Sequence, residues 1–319
     1  MTFILTTALE RSANRNLPAP FSTAATTALE HLREGCFQRS LCLIVAATSV
    51  ASGLEVGYEH YKGSYSNPVM YTPVMLSGAL ACAGLSGAFN RLAARTVLRW
   101  VSIVTLADGI VGFFFHVRGV ARKPGGWSLP VTNIVMGPPI FAPLLFGTSA
   151  YLGLMASYLR REEDLHDVRG LLASWHEGGN SDWRSDLRYG RFQKHLSALT
   201  VLWAFFSGFE ALYSHYKTNF RYKAQWTPVL LTPLLMASGL GAVKSRRIAN
   251  TVLPAVSALA LADGAVGFFY HARGIVRRPG GVKKPLYNIL YGPPIFAPLL
   301  FAACGFLGIM ASLLRRERK

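Results

Sequence analysis

The sequence predicts an all-α polytopic membrane protein: eight transmembrane helices in two tandem four-helix repeats, related by a parallel pseudo-two-fold axis. Three observations predict it. Charge is scarce, eight apolar runs approach membrane-spanning length, and the chain matches itself without a gap at a shift of 155 residues.

The charge deficit comes first. Of 319 residues, 51% are hydrophobic and 15% are charged. Soluble domains carry about 25% charged residues. The net charge of +17 does not point to nucleic acid, because the Lys and Arg residues sit between apolar runs rather than on one polar face. No nucleic-acid partner is expected, and the bilayer is. Cys36, Cys42, Cys82 and Cys304 have no CxxC spacing and no counterparts in the other half of the chain. Neither a disulfide framework nor a shared thiol function follows. The first 36 residues lack a long apolar core, so they read as an arm and not a cleavable signal.

The repeat pairs residues 37–162 with 192–317. Glu55, Tyr58, His60, Tyr61 and Lys62 fall on Glu210, Tyr213, His215, Tyr216 and Lys217. Leu106 to Gly109 falls on Leu261 to Gly264, carrying Asp108 onto Asp263. His116, Arg118 and Gly119 fall on His271, Arg273 and Gly274. Pro124-Gly125-Gly126 recurs as Pro279-Gly280-Gly281, and Gly137 to Pro143 recurs as Gly292 to Pro298. A unit this long is a duplicated domain, not a solenoid repeat.

The apolar runs lie near 40–61, 69–90, 97–117 and 134–159, then 195–216, 227–244, 250–272 and 289–314. A bilayer core needs about 20 apolar residues per helix. The domain plan is therefore an arm (1–36), a membrane repeat (37–162), a polar linker (163–191) and a second repeat (192–319). With the N-terminus inside, the inner segments hold 21 Lys and Arg and the outer loops 12. The positive-inside rule then puts both termini in the cytoplasm of a cell inner membrane. An even number of spans gives both halves the same orientation, as in parallel transporter repeats. The linker's charges read as a solvated face.

Ionisable residues in spans are costly, so each is a candidate site. Glu55 and His60 lie near the outer end of the first span, and Asp108 and His116 near that of the third. Glu210, His215, Asp263 and His271 repeat them. Helical rise separates Asp108 from His116 by about 12 Å and Glu55 from His60 by about 7 Å. The set therefore falls into a deeper carboxylate layer and an outer histidine layer. Gly112 sits between Asp108 and His116 on one face and leaves room for a neighbour or a ligand. Gly137 and Pro138 are placed to break the fourth run and free its carbonyls.

Three readings of this constellation stay open. The first is structural, with carboxylates bonded to neighbouring helix backbones or Tyr hydroxyls and histidines anchored at the interface. The second is redox or metal chemistry in a periplasm-facing electron- or proton-handling system. Two histidines on facing helices can hold a b-type haem, and His with Glu or Asp can hold a non-haem transition metal. Arg118 and Arg273 would then meet haem propionates. The third reading is transport or binding of a cation, proton or small molecule. The basic Pro-Gly-Gly loops suit lipid headgroups, an acidic periplasmic protein or other membrane subunits. P-loop, GxSxG, HExxH and dinucleotide-binding motifs are absent, and no catalytic residue is assigned.

Overall fold

The computed structural model describes residues 19–166 and 183–317; the first part of the arm and the middle of the linker lie outside the described residues. All regular structure among the described residues is helical. A short helix α1 (Ala19–Arg33) precedes the first repeat. That repeat contains α2 (Gln38–Lys62), α3 (Thr72–Phe89), α4 (Arg91–Arg95), α5 (Val97–Ala121), α6 (Pro130–Val135) and α7 (Ala142–Ala156). After α8 (Trp183–Arg188) the series recurs. It runs through α9 (Gln193–Tyr216), α10 (Thr227–Lys244), α11 (Arg246–Asn250), α12 (Val252–Val276), α13 (Pro285–Leu290) and α14 (Ala297–Leu313).

Six helices are long and apolar enough to cross a membrane: α2, α3, the α4–α5 unit, α9, α10 and α12. Many of their large apolar side chains face outward, including Met75, Phe114, Leu230 and Phe269. In a water-soluble protein such a surface would aggregate; in lipid it is matched to its solvent. The chain is an integral membrane protein.

The fourth apolar runs, at 134–159 and 289–314, are broken, as the placement of Gly137 and Pro138 leads one to expect. Each opens with a six-residue helix, crosses a non-helical stretch, and resumes as α7 or α14. Proline explains the break. Pro138 and Pro139 lack N–H groups and disfavour helical geometry in the residue before them, so the ladder cannot cross. Pro143 and Pro298, at the second helical position, suit the restart. The 15 residues of α7 rise only about 22 Å, short of the roughly 30 Å hydrocarbon core. These short helices are the most enclosed elements, with Phe146, Ala150, Met155, Phe301, Cys304 and Leu307 buried.

Within a repeat, α2 packs on α3 and α7, and α5 packs on α3 and α7; α9, α10, α12 and α14 pack in the same scheme. Between repeats, α6 meets α9 and α13 meets α2. At the end where α2 and α9 begin, two loops also touch. A Cβ on Gly35 would sit 2.6 Å from the Gly190 nitrogen, and one on Gly190 would sit 2.8 Å from the Gly35 nitrogen. Both glycines have positive φ, near 69°, so this approach requires residues without side chains. Leu32, Arg33, Gly35 and Phe37 correspond at the same shift to Leu187, Arg188, Gly190 and Phe192. The equivalence thus extends a few residues ahead of Phe37.

The charges at 160–164, where the first repeat runs into the linker, are largely engaged. Glu162 accepts the main-chain N–H groups of Arg39 and Ser40 at 3.0 and 2.7 Å, capping α2. Glu317 does the same for Lys194 and His195 at the start of α9. Arg161 donates to the Ala88 and Gly87 carbonyls at the end of α3. Arg316 donates to those of Ala242 and Val243 at the end of α10. One Arg-Arg-Glu run therefore satisfies the first helix's orphan donors and the second helix's orphan acceptors. Arg160 reaches the Glu34 carbonyl, and Arg315 reaches the Glu34 carboxylate at 2.8 Å, tying the second repeat to the segment before the first.

Candidate functional site

The recurrent polar residues converge on the broken helices. A break in apolar surroundings frees main-chain groups that must find partners. The carbonyl of Pro139 accepts from His116 Nδ1, and that of Pro294 accepts from His271 Nδ1 at 2.6 Å. A carbonyl only accepts, so Nδ1 carries the proton and Nε2 is left with its lone pair.

The freed amides are met from the other repeat. Phe296 N–H donates to Glu55 at 3.0 Å, and Phe141 N–H donates to Glu210 at 2.6 Å. Each carboxylate thus sits at the start of a helix in the opposite repeat, where the exposed N–H groups favour negative charge. Tyr58 donates to Glu55 at 2.6 Å, and Tyr213 donates to Glu210. The sequence anticipated this bonding to helix backbone and Tyr hydroxyl as its structural reading; it did not anticipate that the bonds cross between repeats.

The other residues have local partners. Asp108 accepts the Thr72 hydroxyl at 2.6 Å, joining α5 to the start of α3. Thr227 holds the corresponding place beside Asp263. His60 Nδ1 donates to the Met70 carbonyl at 2.6 Å. Gly112 faces Pro143: a Cβ there would lie 3.0 Å from the proline's Cβ, and Gly267 stands in the same relation to Pro298. The room expected beside Gly112 is filled by the broken helix.

The histidines also meet each other. The rings of His215 and His271 lie 6.5 Å apart and nearly perpendicular. His60 is an electrostatic neighbour of His116 in the first repeat. Among the described residues no three His, Cys, Asp or Glu side chains gather closely enough to hold a metal ion. Arg118 and Arg273 are exposed at the helix ends, outside the described ion pairs.

Two asparagines complete this end; the sequence places Asn133 at the opening of the fourth run but assigns neither a partner. Asn133 donates to the carbonyls of Pro124 and Gly126 at 3.1 and 2.7 Å, and Asn288 to those of Pro279 and Gly281 at 3.4 and 2.9 Å. Each clamps the Pro-Gly-Gly turn onto the short helix before the break. Their recurrence at the 155-residue shift was the available signal.

No family model matches the chain, and no curated protein and no solved structure matches it either.

Proposed function

We propose that this membrane protein is a component of an electron- or proton-handling system, with one histidine pair per repeat as its working group. The pairs are His60 with His116 and His215 with His271. The observation that carries the reading is the tethering of the rings. Three of the four give Nδ1 to a main-chain carbonyl, which is how ligating histidines are oriented, with Nε2 free to bind. A pair suits haem better than a bare metal ion. Haem iron takes four ligands from the porphyrin and one or two from the protein, whereas transition-metal sites in proteins use about three or four side chains. A non-haem metal is the variant, with Glu55, Asp108, Glu210 or Asp263 drawn in by local rearrangement. Arg118 and Arg273 would meet the propionates.

The arrangement around these pairs belongs to the same proposal. Eight membrane crossings, six continuous and two broken, form two four-helix units related by a two-fold axis along the membrane normal. The reciprocal bonds of Glu55 and Glu210 and the reciprocal contacts of α6 with α9 and α13 with α2 support that relation. Both termini lie in the cytoplasm and the histidine end faces the periplasm. An acidic protein or another membrane subunit docks on its basic loops. Labelling of cysteines introduced at 119–130 from the cytoplasmic side overturns this orientation.

An absorption spectrum and elemental analysis of the purified protein test the chemistry. A Soret band that disappears in His116→Ala and His271→Ala together supports haem. Bound metal without that band supports the variant. A colourless, metal-free protein sinks both. It favours the structural reading, in which the recurrent polar groups serve the helix breaks and the start of α3, or a carrier for a cation, proton or small molecule.

A further inference from the structure

The two inter-repeat junctions are built from corresponding residues but are unequally filled. Where α9 meets α7, Phe206 stacks on Phe141 with ring centroids 4.7 Å apart and planes 17° from parallel. Phe205 and Phe209 meet the same ring edge-on at 5.6 and 5.3 Å. Trp203 donates to the Thr148 hydroxyl. In the other copy, Phe205, Phe206, Phe209 and Trp203 become Val50, Ala51, Leu54 and Thr48, and Thr148 becomes Ala303.

Packing follows the substitution. α9 packs against α7, while α2 meets α14 at most marginally. In their most apolar stretches 44% of α9 is buried, against 22% of α2. Val50 and Leu54 are 53% and 57% exposed. Phe141 stacks on both Phe113 and Phe206, whereas Phe296 has the Phe268 stack and, among the described residues, no ring from α2.

We infer that the junction of α2 with α14 binds the planar ring of a membrane-soluble lipid of the quinone class, in the position that Phe206 fills in the other copy. The ring is argued from the Phe206–Phe141 stack, which shows what this junction accepts when full. The lipid is argued from the exposure of Val50 and Leu54 on a membrane-facing helix. The Glu55 carboxyl lies one helical turn from Ala51, accepts the Phe296 N–H and the Tyr58 hydroxyl, and so brings polar groups to the same junction. The choice of a quinone over another ring-bearing lipid rests on the electron- and proton-handling reading above.

The test uses the full-length protein in detergent, titrated with a short-tailed benzoquinone and, as a ring-free control, an alcohol of the same tail length. Saturable binding of the quinone is expected, tighter than the alcohol. Ala51→Phe fills the position from within and should weaken binding at least about tenfold, by overlap in a packed site. Leu54→Phe is the second variant and reads the same effect should Ala51→Phe not fold. Absence of saturable quinone binding overturns the inference. So does equal binding in the wild type and a folded variant, or equal affinity for the alcohol. The titration does not depend on haem. Protein that carries haem but binds no quinone sinks this inference alone, and protein that binds quinone without haem or metal sinks the redox reading alone.

Discussion

The carboxylate of Glu55 accepts the main-chain N–H of Phe296 at 3.0 Å, across 241 residues of sequence. Its counterpart Glu210 accepts the N–H of Phe141. Losing such a partner leaves an amide orphaned in apolar surroundings, at a cost of about 1–3 kcal/mol. Glu55→Ala and Glu210→Ala should therefore each lower the melting temperature in detergent, while Gln, which keeps an acceptor oxygen, should restore much of it. Glu55→Ala should be the more damaging, because its junction lacks the aromatic packing that braces Phe141. Thermal melts of the four variants check this, and a neutral Glu55→Ala contradicts it.

Arg161 is buried and caps the last carbonyls of α3, as Arg316 caps those of α10. Arg161→Ala should destabilise by about 1–3 kcal/mol, from the unpaired carbonyls it leaves. Arg161→Lys should recover only part, since a single ammonium cannot reproduce the planar fork of donors. Denaturation of the purified variants measures both. Full rescue by Lys would show that charge alone suffices.

Cys36, outside the spans, should be protected from thiol reagents in the folded protein. Cys36, Cys42 and Cys304 are buried and Cys82 is exposed. Burial pushes the Cys36 thiol up to about 11, against the opposing pull of Arg160. Near neutral pH it stays a thiol, and the thiolate is the reactive form. A maleimide should therefore label Cys36 only after denaturation. Rapid labelling of Cys36 in the folded protein contradicts its placement.

Asp164, outside the spans, carries a pH dependence. Burial raises its carboxyl, but the hydrogen bonds from the Arg91 side chain and the Arg161 amide, with the guanidinium charge, outweigh that and hold it below 3.8. A depressed carboxyl contributes stability above its ordinary value and loses it as pH falls through the folded one. The Arg91–Asp164 clasp, 2.7 Å at its shortest, should thus open only below about pH 4. The contribution is small because Arg91 is partly exposed. Asp164→Asn should flatten the acid limb of stability below about pH 4 relative to the wild type; an unchanged limb counts against the clasp.

Much of the candidate site was legible as positions and little of it as partners. The 155-residue shift singled out Glu55, Asp108, His60 and His116 with their copies. Helical rise already separated carboxylates from histidines. The proline run showed where a helix had to break. The sequence left unread which groups would answer that break, because a freed N–H or C=O belongs to the backbone and leaves no mark in residue type.

The sequence by itself determined the solvent, the duplication, and the end of the bundle where polar residues gather, since hydropathy, self-similarity and rise per residue are properties of the chain. Only the tertiary structure decided that His116 serves its own repeat's break while Glu55 serves the other's. Only there, too, do the unequal junctions at Phe141 and Phe296 become visible as packing. The physical reason is one of range. Periodicity and propensity act over a few residues, whereas a main-chain group cut off from water takes whichever side chain the packing of distant helices brings within reach.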